Sequence, residues 1–476
     1  MTNQPYISLT TEVQQLVTAE QAWHYHIVPK QFTDSEVIFY AAPSEVDADK
    51  QDELEMLFGR NVVLEASASE TIQRTLGKYY RRTANSSRTV EVHTEQTEDF
   101  LDNLITEAQK LGSSDIHIEI YDDRARVRMR MDGLLVERYQ LNKDDYPSMV
   151  NKIKIKANLD IAEKRLPQDG RIHFKQQTTE VDIRVSVLPT LHGEKVVMRL
   201  LSNDATNIDI ERLGFSKNDL HTYLEGVRQP NGIVLISGPT GSGKTTTLYA
   251  TLKILNEEKR NIVTVEDPIE YTLEGINQVQ LRENIGLTFS SALRSFLRQD
   301  PDIIMLGEIR DAETAQMAIR AALTGHLVLS TIHTNSAWGT ISRLIDMGVQ
   351  PFLLASTINT SVAQRLLRLL CPDCKTTQPL DKSTLPSSFA PPSEVKQEAI
   401  GVGCESCYYT GYRGRTAIYE VISVDNELGE KIKTNDMQVT ESLHQRNIKP
   451  LSQQAWELFA AGKTALEEVY PLLLNS

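Results

Sequence analysis

Apolar and polar positions along the chain fall into two rhythms, one of period two and one near 3.6, and the switches between them divide it into units. Glu36 to Ala41 forms a short strand-like run and Ala66 to Tyr80 places apolar residues at helical intervals, so residues 1–82 read as a small αβ module. The pattern then stops. Arg81 to Gln96 is polar and carries Thr83-Ala84-Asn85-Ser86-Ser87, the composition of a flexible connection. From Asp99 to Gly112 the helical interval returns, and Asp115 to Glu119, Ala125 to Met131 and Val181 to Leu188 alternate as strands do. This predicts a second αβ domain over 97–203. A third unit, 204–476, opens after the polar stretch Asn203 to Glu211, at Leu213-Gly214-Phe215. In it the runs Gly232 to Ser237, Ile262 to Glu266, Ile303 to Leu306 and Leu327 to Ser330 alternate with helical segments, so the expected fold is α/β, a sheet flanked by helices. Thr376 to Ala399 is rich in Pro and Ser and reads as a loop, and no internal repeat is present.

A chain of 476 residues is too long for one ordinary core, and ~150 residues per domain agrees with about three units. Hydrophobic residues at 40% and charged ones at 24% give the balance of a globular protein that buries a proper core. The formal net charge of -14 and the lack of a basic tract argue against a broad nucleic-acid footprint, and aromatics at 6% argue against base-stacking platforms. No apolar run approaches the ~20 residues that cross a bilayer, and Met1 to Thr11 lacks the basic start and apolar core of a signal peptide. The expectation is a cytoplasmic protein that meets a membrane only through partners.

Gly238-Pro239-Thr240-Gly241-Ser242-Gly243-Lys244-Thr245 fits the P-loop pattern in full, directly after an apolar strand and before a helix-competent run that continues with Thr246. Glycines let successive backbone N–H groups turn inward around phosphate oxygens, and the following helix presents its positive end. Lys244 brings a mobile cation, and Thr245 a ligand for Mg²⁺. A coincidental glycine-rich turn does not require strand, loop and helix together. Farther on, Asp302 to Glu308 delivers the Glu308 carboxylate at the end of a strand, where a Mg²⁺ partner belongs, although many parallel strands end in an acid by chance. Between them, Glu266-Asp267-Pro268-Ile269-Glu270 offers carboxylates to orient or deprotonate an attacking water; the plainer alternative is an acidic turn stiffened by Pro268. His326 and His333 bracket a further strand, and isolated histidines are more often structural than catalytic.

All four cysteines lie in two Cys-x-x-Cys pairs, Cys371 with Cys374 and Cys404 with Cys407. Four thiolates are the number and type that a closed tetrahedral Zn²⁺ site prefers, with no position left open for water. A redox pair or an iron–sulfur cluster would use the same residues.

Taken together, Gly238 to Tyr249, Thr264 to Glu270, Gly307-Glu308-Ile309-Arg310-Asp311 and Leu323 to Asn335 resemble the type II secretion and type IV pilus assembly ATPase family. Ser114 to Glu119, Asp160 to Ile172 and Val181 to Glu194 resemble its second, PAS-like N-terminal domain, and the likeness spans about Asp99 to Glu420. It implies a RecA-like ATPase domain with a zinc-binding insertion at about 369–415, two smaller αβ domains before it, and ATP, Mg²⁺ and Zn²⁺ as cofactors. By that resemblance Gly238 to Thr246 hold the nucleotide, Glu308 is an atypical Walker B glutamate, and Glu270 activates water, with Glu266 second. His333 senses the γ-phosphate, with His326 beside it. Arg294 and Arg298, one helical turn apart, and Arg171 and Arg184 of the middle domain are implied to approach the triphosphate; surface salt bridges are the ordinary alternative for all of them.

The chain departs from the usual family pattern at Ser336-Ala337-Trp338, where an acid and a smaller residue are common. Gln364-Arg365-Leu366 and Thr410 to Arg415 look like the assembly branch, and retraction motors lack the cysteine module. The implied function is a hexameric ATPase that drives pseudopilus assembly in type II secretion through inner-membrane platform and docking proteins. The alternative is a type IV pilus extension motor, and the other classes weighed are a RecA-like DNA translocase and a weakly hydrolysing nucleotide-gated scaffold. Residues 1–82 are expected to dock a partner. Some relatives bind a cyclic dinucleotide there through repeated Arg-Leu-Gly motifs; Met1 to Tyr80 holds none, so that ligand is not expected.

Overall fold

A computed structural model describes residues 7–474 except 8, 10, 15, 34, 81–89, 93–99, 177–178, 202–208, 388 and 437. The largest unit is organised by a sheet in the order Asn277–Gln280, Ile262–Glu266, Ile303–Leu306, Leu327–Ile332, Gly232–Ser237, Ile358–Leu370 and Tyr412–Ser423. All neighbours pair parallel except the last two strands, which pair antiparallel. The central strands are buried throughout and mostly apolar because helices cover both faces. On one side lie Tyr223 and Val227 of helix Lys217–Val227, with Leu248, Leu252 and Leu255 of helix Lys244–Leu255. On the other lie Ala315 and Ala318 of helix Ala312–Leu323, Ile341 and Leu344 of helix Ala337–Asp346, and Trp456 and Phe459 near the C-terminus. Full burial of such large side chains contributes about 1.5–3 kcal/mol each. The parallel topology has a functional consequence: the strands ending at Ser237, Glu266, Leu306 and Ile332 finish on the same edge of the sheet. That edge is where open α/β sheets bind ligands.

The middle domain is a second sheet, ordered Val90–Val92, Leu134–Leu141, Ala125–Met131, Asp115–Ile120, Gly193–Leu201, Thr179–Thr190 and Gln168–Gln176. Helices Phe100–Lys110 and Tyr146–Lys156 pack on one face. Strand alternation buries Ala125, Val127, Met129 and Met131 there and sends Arg126, Arg128 and Arg130 to the other face, which is charged. One expectation is corrected here. Val90–Val92, within the stretch read as a flexible connection, is an edge strand parallel to Leu134–Leu141, and its valines suit a strand. The remainder of that connection, residues 81–89 and 93–96, lies outside the described residues.

In the N-terminal module, Ile27–Phe32 runs antiparallel to Glu36–Ala41, which is parallel to Asn61–Ala66. The helix expected from Ala66 spans Ser69–Tyr79, because Ala66 closes the preceding strand. The cysteine module is an insertion between the long strands Ile358–Leu370 and Tyr412–Ser423. The Pro- and Ser-rich stretch within it is not all loop: Lys375–Pro379 pairs with Gln397–Gly401 as a hairpin, and Leu380, Leu385, Phe389 and Val395 between them pack on the ATPase core. At the unusual Ser336-Ala337-Trp338, Ser336 caps helix Ala337–Asp346 by accepting the Gly339 N–H at 3.0 Å, and Ala337 and Trp338 are buried.

Candidate functional site

At the end of strand Gly232–Ser237 the chain turns through Gly238 to Gly243 into helix Lys244–Leu255. Gly238 cannot be replaced without movement: a Cβ there would lie 2.5 Å from the Gln364 carbonyl oxygen and 2.6 Å from Ser242 Oγ. Gln364 braces the loop, donating from Nε2 to the Ser242 carbonyl at 2.8 Å and accepting the Thr247 hydroxyl at 3.0 Å. Lys244 Nζ folds back onto the carbonyls of Gly238 (2.7 Å) and Pro239 (3.0 Å). Burial, with the charge of Arg365, lowers its pKa against the opposing pull of Glu308. Ser242 Oγ is buried without a protein partner. A glycine-rich loop at a helix N-terminus, a partly desolvated ammonium and an unpaired hydroxyl together form a cradle suited to phosphate.

The loop opens on a cleft of about 590 Å³, within the size range of small-ligand sites. Thr240 to Thr246 line it, with Glu266, Asp267, Glu270, Glu308 and His333 arriving from the three neighbouring strand ends. Glu308 accepts from Arg310 Nε at 2.6 Å and lies 3.1 Å from His333 Nε2. Burial alone would raise the Glu308 carboxyl; the Arg310 hydrogen bond and charge, with His333, outweigh it and hold the group below its ordinary value. The other acids differ in freedom. Glu266 is buried, and its oxygens accept Thr264 Oγ1 at 2.6 Å, Gln278 Nε2 at 3.0 Å and the Tyr249 hydroxyl. Glu270 is half-buried, faces the cleft, and has Arg184 Nη1 at 3.8 Å. His326 precedes the strand, at the sheet edge opposite the cleft, with Nδ1 against the Ala321 carbonyl at 2.8 Å, and does not line the cleft.

The opposite wall comes from the middle domain. Arg171, Arg184 and Arg199 sit directly across from one another on three adjacent strands, and the row continues through Asp115 to Arg130. Arg184 donates to the Ile269 carbonyl; burial, with like charge from Arg171 and Arg199, pushes its pKa down despite Glu270. Such a row favours an anion beside it. Arg199, Ser114 and, from the strand leaving the cysteine module, Arg415 line the cleft. None of these three was assigned to the nucleotide site in the sequence, although Ser114 and Arg415 stand in segments that carry the family resemblance. Arg199 joins Arg184 only through strand register, and no local motif marks Arg415 as a cleft residue.

Arg171, Arg184, Arg294 and Arg298 do not line the cleft, although Arg184 approaches Glu270, which does. Arg294 is exposed and paired with Glu313. Arg298 does not continue the helix as expected: helix Phe289–Phe296 ends before it, ahead of Asp300 at φ +48 and Pro301, and Arg298 Nη1 donates to the Arg294 carbonyl at 2.9 Å. Proline disfavours helical backbone in the residue before it, so the helix cannot run on through Asp300.

The four cysteine sulfurs lie within 4.8 Å of one another, with Cys371–Cys404 and Cys374–Cys407 at 3.8 Å and Cys404–Cys407 at 3.7 Å. Thiolates ~2.3 Å from a tetrahedral Zn²⁺ are about 3.8 Å apart, so the donor set fits that ion. A hydrogen bond from the Cys374 thiol, aided by the N–H groups of Cys404 and Gly411, lowers the Cys407 thiol against the opposing effect of burial. Just beyond, the Tyr408 ring lies under Arg138 of the middle domain at 4.9 Å. Val402 packs against Gly77 of the N-terminal module so closely that a Cβ there would approach it to 3.0 Å.

A parallel sheet whose carboxyl edge unites a P-loop, an acidic box and a strand-end glutamate defines a RecA-like P-loop ATPase. A family model described as Type II/IV secretion system protein matches residues 91–471, and an MshEN domain model matches residues 3–86. The chain belongs to the type II/IV secretion system ATPase family. It is similar to the type II secretion system protein E of Pseudomonas aeruginosa, with 47% identity over 367 residues, covering 77% of this chain and 73% of that protein. The type IV pilus assembly ATPase PilB of Myxococcus xanthus is 42% identical over 488 residues, covering 96% of this chain and 86% of that protein. Among solved structures, the pilus retraction motor PilT with bound ADP aligns at TM-score 0.53 and 26% identity over 78% of this chain and 95% of that one. The Legionella pneumophila ATPase DotB, at 21% identity and TM-score 0.61 over 82% and 100%, shares the fold. Among the described residues no helix is long and apolar enough to cross a membrane.

Proposed function

We propose that this chain is a cytoplasmic motor that hydrolyses ATP in a ring, a hexamer, and drives pseudopilus assembly in type II secretion through inner-membrane platform and docking proteins. The observation that carries the reading is the convergence of Lys244, Glu270, Glu308 and His333 on one cleft at one edge of the sheet. Gly238 to Thr246 bind the phosphates, and Lys244 leaves its loop carbonyls to meet them. Thr245 and Glu308 hold Mg²⁺, which neutralises triphosphate charge when bound. Glu270 orients and deprotonates water, since its carboxylate faces the cleft while the Glu266 oxygens are taken by Thr264, Gln278 and Tyr249. His333, against Glu308, reports on the γ-phosphate position. Arg184 and Arg199 bring the middle domain to the phosphates, and Arg415 of the ATPase unit joins them through Asp132 of that domain, so closure of the two domains follows nucleotide state. Cys371, Cys374, Cys404 and Cys407 hold Zn²⁺ as a structural knot.

A second reading, a type IV pilus extension motor, draws on one observation. The Myxococcus xanthus pilus ATPase aligns over 96% of this chain, N-terminal module included, whereas the Pseudomonas aeruginosa secretion protein covers 77%. Steady-state phosphate release measured against oligomeric state by light scattering tests the shared motor. A rate that rises with ring formation and vanishes in Lys244→Ala supports it; nucleotide binding without turnover in every oligomeric form sinks it. Deleting the gene and scoring secretion against surface pili then separates the two machines.

A further inference from the structure

Arg415 reaches the cleft at the start of the strand that leaves the cysteine module, but what holds it comes from the middle domain. Strands Ala125–Met131 and Leu134–Leu141 are joined by Asp132 and Gly133, at φ +46 and +89, a two-residue hairpin turn that needs left-handed backbone at both positions. Arg130 Nη1 fixes this turn by donating to the Gly133 carbonyl at 2.8 Å. From it, Asp132 Oδ2 accepts the Gly414 N–H at 2.8 Å, and Oδ1 lies 3.5 Å from Arg415 Nε. One carboxylate therefore grips both the backbone before the arginine and the guanidinium itself.

The geometry of that grip is informative. Asp132 engages Nε, which leaves the outer nitrogens of the guanidinium fork free to meet a phosphate in the two-pronged way arginine favours. The side chains are 43% and 32% exposed, and a pair this open adds little to folding stability. An untethered arginine at this place would sample many rotamers and lose that freedom on each binding event. We propose that Asp132 is a positioning residue that presents Arg415 to the nucleotide phosphates, so that nucleotide affinity depends on contact between the Asp132 turn and the Gly414–Arg415 segment. The same pattern holds for the other cleft arginine: Arg199 Nε lies 2.9 Å from Asp115 Oδ1, on the strand paired with Ala125–Met131.

The proposal rests on the reading of the cleft as a nucleotide site, and the experiment separates the two. Fluorescent ATP analogue with Mg²⁺ is titrated into the full chain and into Asp132→Asn, Arg415→Ala, their double variant and Lys244→Ala. Asparagine tolerates the left-handed turn and still accepts the Gly414 N–H, so the first substitution removes only the charge facing Arg415. We expect Asp132→Asn to weaken binding about three- to tenfold, the scale of lost side-chain preorganisation, and the double variant to bind no more weakly than Arg415→Ala. KM should rise by more than kcat falls. Unchanged affinity in Asp132→Asn while Lys244→Ala loses binding overturns the proposal alone, as does an Asp132→Asn effect that persists in the Arg415→Ala background. Normal binding by Lys244→Ala overturns the nucleotide reading and the proposal with it.

Discussion

The two walls of the cleft are made differently. The ATPase wall consists of loop backbone and of side chains carried by segments that follow strand ends, braced by Gln364 and by a buried sheet. The opposite wall is made of long cations, Arg199 of the middle domain at 57% exposed and Arg415 of the ATPase unit at 43%, each held by a carboxylate of the middle domain. A rigid wall suits groups that must be preorganised around developing charge. A wall of tethered arginines suits contacts that are made and broken as domains move. The comparison assigns chemistry to the first wall and coupling to the second, and substitutions on each side should separate the two roles.

The largest effect is expected on the rigid wall. Glu270→Gln keeps the shape and removes the base, so phosphate release should fall about 10²–10⁴-fold while ATP-analogue binding is retained. An unchanged rate would remove Glu270 from the mechanism and break the assignment of chemistry to this wall. Lys244→Ala comes next: loss of one preorganised charge in a desolvated site should lower turnover about 10²–10³-fold and, unlike Glu270→Gln, weaken binding as well. Titration calorimetry and phosphate release on the two variants distinguish a group that holds the substrate from one that acts on water.

The same division explains how much was legible in the sequence. The P-loop, the acidic box and Glu308 each follow directly on an apolar run, and those runs form strands with the expected bounds at Gly232–Ser237, Ile262–Glu266 and Ile303–Leu306. Strand, turn chemistry and function are encoded within about ten residues there. The second wall is assembled by register. Arg171, Arg184 and Arg199 form a row because three strands pair in one alignment, and a shift of one residue would turn each to the other face. Arg415 is placed by the long ladder that closes the cysteine module. Helical spacing joined Arg294 and Arg298 in the sequence, but the turn before Pro301 ends that helix early. Local periodicity carries no information about which strand becomes whose neighbour.

A smaller effect should mark the arginine wall. Arg199→Ala removes one charge-assisted contact to phosphate, worth about 1.5–3 kcal/mol, so the KM for ATP should rise at least about tenfold while kcat at saturation changes less. Steady-state kinetics over a wide ATP range make the distinction. A fall in kcat with constant KM would place Arg199 among the chemical groups and erase the difference between the walls. Arg199 also pairs with Asp115 at 2.9 Å, so thermal unfolding of the same variant should accompany the kinetics, to show that the middle domain remains folded.

The smallest effect is expected at Arg298, and there the comparison is sharpest. In the single chain this residue caps the Arg294 carbonyl, is exposed, and contributes to neither wall. Surface substitutions of this kind stay within about 0.5 kcal/mol, so Arg298→Ala should change nucleotide affinity of the dilute protomer by no more than about twofold. Titration of fluorescent ATP analogue below the concentration at which rings form gives that value directly. The same titration and phosphate release, repeated where light scattering shows rings, then locate any further role. A loss that appears only in the ring would mean that Arg298 acts across a subunit boundary, as a third wall supplied in trans. A loss already present in the protomer would mean that the helix end after Phe296 rearranges on binding, and that the rigid wall is less rigid than its hydrogen bonds indicate.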